Sequence, residues 1–251
     1  MHLVELQGRR VAILGAGREG QAAYDWLRSR LPSIPLSVIA ESAPAADFKF
    51  RLAEGDQILV EPFGSLRLCT FDVLVRSPGI SPYREPLQAA RAAGVRITSA
   101  SNLWFAAHPD ARTICITGTK GKSTTAALVA HMLQSCGREV RLAGNIGLPL
   151  LQCDDQGVDW WVIELSSYQI ADLEATPTIA AFLNLSPEHL DWHGSEEHYR
   201  RDKLRLAALT EGGQIIVNAA DAGLARYFQD APNVAWFNRA NGVHLVGDTI
   251  F

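Results

Sequence analysis

The 251-residue chain has only four cysteines, Cys69, Cys115, Cys136 and Cys153, and no two of them stand in C-x-x-C spacing. That argues against a zinc ribbon or a disulfide framework and fits a reducing compartment, with the four thiols expected as small buried hydrophobes. No run approaches the ~20 apolar residues of a membrane span, and the first ten residues lack the apolar stretch of a secretory leader. The expectation is a cytoplasmic protein with no membrane insertion. An excess of one charge sign is missing too. The 23 basic and 27 acidic residues leave a net charge of −4, so there is no footprint for nucleic acid and any phosphate recognition must be local. Repeats and low-complexity tracts are absent, and 47% hydrophobic with 20% charged residues is the composition of a globular chain with room for two domains.

What is present is concentrated at residues 116 to 125, Ile-Thr-Gly-Thr-Lys-Gly-Lys-Ser-Thr-Thr. The run Arg112–Thr117 predicts a buried strand and Ala126–Leu133 a helix, so this loop joins a strand to a helix N-terminus, where free N–H groups and the positive helix end face an anion. Lys122 can reach β/γ-phosphate oxygens and the Ser123 hydroxyl can ligate Mg²⁺, making Gly118, Thr119, Lys120, Gly121, Lys122, Ser123 and Thr124 the candidate ATP-binding residues. The strict GxxxxGK[ST] pattern fails, because its first glycine falls on Ile116; a shorter variant, TGTKGKST, is favoured. A plain helix-capping turn would leave Lys120 and Lys122 without a reason.

The fold class expected is α/β: an N-terminal Rossmann-like parallel-sheet domain over residues 1–98, then a P-loop-type α/β domain over 99–251. Apolar runs at 11–14, 36–39, 57–60, 72–75 and 95–97 predict the strands of the first, with helices over 21–30 and 85–93. A second series begins at Arg112 and includes strands at 160–163, 178–183 and 213–217, with Ser99–Asn102 and His108–Asp110 interrupting the pattern between domains. The last residues, Val243–Phe251, read as a hairpin cut at its second strand, so the chain is expected to be an incomplete central domain and, alone, catalytically silent.

Gly15-Ala-Gly-Arg-Glu-Gly20 follows a strand, opens a helix and has Glu41 at the end of the next strand, which satisfies the G-x-G-x-x-G fingerprint. Alone it also suits a nicotinamide-dependent oxidoreductase. With a triphosphate loop in the second domain, the economical reading is a nucleotide-linked substrate, with Gly15, Gly17, Arg18 and Ser77 as its candidate contacts. Further on, Glu164 ends an apolar strand where parallel sheets collect ligands, and Glu188, His189, Asp191 and His193 follow another strand. His189 and His193 have the i, i+4 spacing of a zinc pair, but HExxH is absent and Pro187 with Gly194 predicts a loop or very short helix. One histidine is expected as a ligand of a hard metal or near a phosphate, the other as surface. Lys203, in the charged helix Tyr199–Leu206, reads by itself as a solvated lysine.

Five segments stand in order: TGTKGKST (117–124), GNIGLPLL (144–151), ELSSYQ (164–169), NLSPEHLDWH (184–193) and YRRDKLRL (199–206). Together they resemble the Mur ligases of bacterial cell-wall synthesis, and within them the branch that adds glutamate to UDP-N-acetylmuramoyl-L-alanine, over nearly the whole chain. The resemblance implies an ATP-dependent ligase that works through an acyl phosphate. It implies Lys122 on the ATP phosphates, Ser123 and Glu164 on one Mg²⁺, His189 and a carbamylated Lys203 at a second, and Asn145, Ser166 and Gln169 on the muramoyl-alanine portion, so that Lys122, His189 and Lys203 are the candidate catalytic residues. It further implies a monomer at full length, about two central strands and a C-terminal domain beyond this chain, and D- or L-glutamate as the added amino acid. Departures from the family pattern fall at Ala40-Glu41-Ser42 and at Ser101–Phe105, where uridine contacts and the domain junction are expected.

Overall fold

The computed structural model describes residues 1–251 except 66, 67, 154, 247, 248 and 251. Two compact units make it up: Met1–Pro109 with Pro149–Cys153, and Asp110–Leu148 with Asp154–Phe251. The division falls after Pro109, within the stretch of about 98 to 110 where the sequence pattern breaks.

The first unit contains β1 (Val11–Leu14), β2 (Leu36–Ala40), β3 (Gln57–Val60), β4 (Val73–Arg76) and β5 (Arg96–Ser99), with helices α1 (Arg18–Arg30), α2 (Glu85–Ala92) and α3 (Ala100–Ala107). Its sheet has the order β3-β2-β1-β4-β5, and every pair is parallel. The unbroken apolar runs explain this: β1, β2 and β4 are buried along their whole length, as strands covered on both faces must be, while the edge strand β3 is half-exposed. Leu14, Ile39, Leu74 and Leu87 meet in one core cluster, each contributing roughly 2 kcal/mol of burial. The chain winds β1 to β3 in one direction and then returns to β4 and β5 on the other side of β1, so the loops after β1 and β4 part at a topological switch point. Helix α3, where the sequence pattern appeared interrupted, begins with the Ser99 hydroxyl accepting from Asn102 N–H at 3.3 Å and buries Leu103, Trp104 and Phe105.

The second unit contains β6 (Thr113–Thr117), β7 (Val140–Gly144), β8 (Trp160–Glu164), β9 (Ile179–Phe182), β10 (Gln214–Asn218) and β11 (Val234–Phe237). Its helices are α4 (Lys122–Ser135), α5 (Ser167–Ile170), α6 (Leu190–His193), α7 (Glu196–Leu209) and α8 (Ala222–Phe228). The six strands are parallel in the order β11-β10-β9-β6-β8-β7. Ile116 pairs with Glu164 of β8 and with Ala181 of β9, so the loops leaving β6, β8 and β9 emerge side by side at one sheet edge. The hairpin β12 (Leu245–Val246) and β13 (Thr249–Ile250) is antiparallel. Of the four cysteines only Cys115 is buried; Cys69 and Cys136 are exposed and Cys153 is intermediate, which corrects the expectation that all four are core residues.

Candidate active site

Each Gly-rich loop follows the central strand of its sheet. After β1, the chain turns at Gly15 and enters α1, and a Cβ at Gly20 would drive into the Gly15 carbonyl oxygen, so the first turn of the helix packs on the loop at glycine distance. The loop borders a cavity of about 350 Å³ lined also by Glu41, Phe48, Phe63 and Ile80. The buried Ser77 hydroxyl, which has no hydrogen-bond partner among the described residues, lies against Gly15. Arg18 is exposed on the first turn of α1, and burial raises the carboxyl of its neighbour Glu19. Glu41, the acid of the dinucleotide fingerprint, is held by Arg84 in two hydrogen bonds of 2.6 and 2.8 Å. The guanidinium of Arg84 in turn lies 5.0 Å from the Phe63 ring centroid. Arg76, overlooked in the sequence, is buried and donates through one nitrogen to the carbonyls of Ser77, Pro78 and Ile80, which shapes the loop after β4.

In the second unit Gly121 adopts φ +82° at the start of α4, a left-handed conformation that favours glycine and turns the loop into the helix. Ser123, in the first turn of α4, donates to Glu164 Oε2 at 2.8 Å, and Asn145 Nδ2 donates to Glu164 Oε1 at 2.7 Å. Glu164 is itself only 1% exposed. A buried carboxylate beside a helix-end hydroxyl fits Mg²⁺, which takes one or two carboxylates and completes its shell with water and phosphate oxygens. Among the described residues no three His, Cys, Asp or Glu side chains converge as a metal cage. Both ring nitrogens of His193 are engaged, Nδ1 with Asp202 at 2.7 Å and Nε2 with Ser167 at 3.0 Å, so neither is turned to a metal shared with His189.

Lys122 Nζ donates to Thr119 O at 2.9 Å, so its ammonium lies over the loop it belongs to. Lys120 pairs with Glu188 at 2.7 Å, and this hydrogen bond is the main reason the Glu188 carboxyl is held below its ordinary range. Asn184, after β9, accepts from the N–H groups of Thr119 and Lys120 at 2.9 and 2.8 Å and donates to Lys120 O at 3.0 Å. Ser166 and Gln169 form a capping box at the start of α5.

Lys203 is not a solvated lysine. It is buried at 3% exposure, donates to Gly118 O at 2.8 Å, and burial, aided by the charge of Lys122, pulls its amine down to about 7. The charged look of α7 hides an inward stripe of Tyr199, Asp202, Lys203 and Leu206, all buried, at helical spacing. The histidines are also corrected. His193, which would have been the surface residue if His189 is the ligand, is fully buried, whereas His189, at the left-handed position before α6 (φ 57°), keeps its side chain 49% exposed, 3.7 Å from Glu188. No hydrogen bond or ion pair among the described residues joins His189 to Lys203.

Residues 116–245 match the model of the Mur ligase middle domain. The chain belongs to the Mur ligase family. It is 44% identical over 263 residues to the UDP-N-acetylmuramoyl-L-alanine--L-glutamate ligase of Xylella fastidiosa (strain 9a5c), covering 100% of this chain and 56% of that protein. Identity is 45% over 261 residues, with the same coverage, to the protein of that name from Xanthomonas campestris pv. campestris (strain 8004). This Mur ligase chain therefore spans about half the length of the curated relatives it matches. Among solved structures, the UDP-N-acetylmuramate:L-alanyl-gamma-D-glutamyl-meso-diaminopimelate ligase of Neisseria meningitides superposes with a TM-score of 0.61 at 18% identity, over 96% of this chain and 85% of that one, a likeness of fold. No helix of the described Mur ligase chain is long and apolar enough to cross a membrane.

Proposed function

We propose that this chain binds ATP and a UDP-linked sugar for a cytoplasmic, monomeric ligase that joins L-glutamate to UDP-N-acetylmuramoyl-L-alanine in peptidoglycan precursor synthesis. The observation that carries the proposal is the convergence of Ser123, Glu164 and Lys203 on the loop 118–123, at the edge where β6, β8 and β9 end. The L-glutamate form of the reaction follows the printed names of the relatives at 44% and 45% identity.

In this reading the backbone N–H groups at the start of α4, from Gly121 to Thr124, and the Lys122 ammonium bind the ATP phosphates, replacing water with fixed dipoles that need no reorganisation during transfer. Mg²⁺ on Ser123 and Glu164 would shield the phosphate charge from an approaching carboxylate. The neutral fraction of the Lys203 amine, favoured by its burial, adds to CO₂ with loss of one proton and gives a carbamate. That anion, with His189, suits a second cation. Asn145, Ser166 and Gln169 would orient the muramoyl-alanine part, while Gly15, Gly17, Arg18 and Ser77 hold the UDP portion in the first unit.

Calorimetric titration of the chain tests this. Binding of Mg·ADP and, separately, of UDP-N-acetylmuramoyl-L-alanine is expected, with Lys122→Ala weakening the first and sparing the second. Binding of NAD(H) with none of the UDP-sugar would overturn the proposal and favour the oxidoreductase alternative.

A further inference from the structure

Three side chains outside the assigned ligand and metal contacts form a buried hydrogen-bonded row. His193 Nδ1 lies 2.7 Å from Asp202 Oδ2, and His193 Nε2 lies 3.0 Å from Ser167 Oγ. All three are buried, His193 completely, Ser167 and Asp202 at 3% exposure each. A carboxylate only accepts, so Nδ1 carries a proton and donates it; Nε2 then accepts from the Ser167 hydroxyl. The order Ser–His–Asp has the pattern of a nucleophile triad, but a serine this closed off from solvent has no path to a substrate.

The row instead joins three elements that carry site residues. Ser167 follows Ser166 and precedes Gln169 on α5. His193 ends α6, the helix that His189 immediately precedes as its N-cap residue. Asp202 precedes Lys203 on α7, and one turn earlier Tyr199 sets its ring edge-on to His193, with centroids 5.2 Å apart. Helix α7 meets the phosphate loop at two points: the Tyr199 and Thr119 hydroxyls lie 2.8 Å apart, and Lys203 Nζ donates to Gly118 O. Both contacts depend on the rotation and depth of α7. The row opposes a change in either, because rotating α7 would leave a buried carboxylate or imidazole without its partner.

We propose that His193, through Asp202 and Ser167, is a positioning residue that sets α7 against α5 and so holds the loop 118–123 in its phosphate-binding shape. The inference rests on the nucleotide-binding reading of that loop. Its test is the affinity of the chain for Mg·AMP-PNP, measured at a temperature where circular dichroism shows each variant folded. Three variants cut the row at different places: Ser167→Ala at one end, Asp202→Ala at the other, and His193→Asn, whose amide retains a donor toward Asp202 but loses the acceptor for Ser167. Affinity should fall about three- to thirtyfold in each, the range for residues that act on a site without touching it. His193→Asn should be milder than His193→Ala. Combining Ser167→Ala with Asp202→Ala should cost less than the product of the single losses, because either break already frees α7. Variants that melt at lower temperature yet bind within twofold of wild type would reduce the row to a fold-stabilising element and overturn the proposal. Absence of nucleotide binding by the wild-type chain would remove the nucleotide-binding reading and this inference together.

Discussion

Replacing Lys203 with methionine should change how stability responds to pH. The amine is 3% exposed and burial holds it at about 7, against an ordinary value near 10.5. Below pH 7 it is protonated in the folded and unfolded states alike, and the cost of burying the charge is present in full. Between pH 7 and 10.5 the folded chain has released the proton while the unfolded chain keeps its own, so stability rises with pH, at up to about 1.4 kcal/mol per pH unit. From pH 7 to pH 9 the wild type should therefore gain about 2 kcal/mol over Lys203→Met, which keeps the stem and lacks the titrating group. Cys115, raised to about 12 by burial, acts with the opposite sign above its ordinary value of 9.0, but it is common to both proteins and cancels in the difference. The assay is urea unfolding of both proteins from pH 6 to pH 9 in buffer freed of carbon dioxide. A difference constant within about 0.5 kcal/mol would refute the burial argument. Adding bicarbonate at pH 8 should then stabilise only the wild type, because only it carries the buried, partly neutral Lys203 amine to trap as the carbamate.

Glu164→Gln should leave ADP binding in the absence of metal nearly unchanged and abolish its enhancement by Mg²⁺, since the amide keeps the hydrogen-bonding shape and loses the charge; titrations with and without Mg²⁺ measure this, and retained enhancement would place the metal elsewhere. Gly20→Ala should cost about 3 kcal/mol or more, because the new methyl group meets the Gly15 carbonyl and neither backbone segment can move without disturbing the buried strand β1. A urea midpoint equal to that of wild type would contradict that packing.

Much of the architecture was legible because buried parallel strands are written as apolar runs. Val11–Leu14, Leu36–Ala40 and Trp160–Glu164 stand within a residue of where those runs predict them. Strand β7, Val-Arg-Leu-Ala-Gly, was passed over because an arginine divides a short apolar stretch, and β11 lies among polar turn residues. Helix α3 falls where the sequence pattern reads as an interruption, although Ser99 is an N-cap signal before Leu103-Trp104-Phe105. At the site, the Gly-rich loops and the strand-end position of Glu164 could be read from local pattern alone. Lys203 and His193 could not, because their burial arises from contacts 85 and 26 residues distant in sequence, to Gly118 and Ser167.

Those long separations have a consequence for how the molecule is made. The loop at 117–124 leaves the ribosome early, yet the Tyr199 contact that orders it is contributed 80 residues later and the Lys203 contact 85 residues later. At about 5–20 residues per second, the loop waits roughly 4 to 17 seconds before α7 exists to pack on it. Within that interval the two sheet neighbours of β6 arrive one after the other, β8 at 160–164 and β9 at 179–182, so the sheet around the loop is paired before α7 can pack on it. The nascent chain therefore passes through a period in which its Gly-rich loop is complete and the contacts of α7 that order that loop are not.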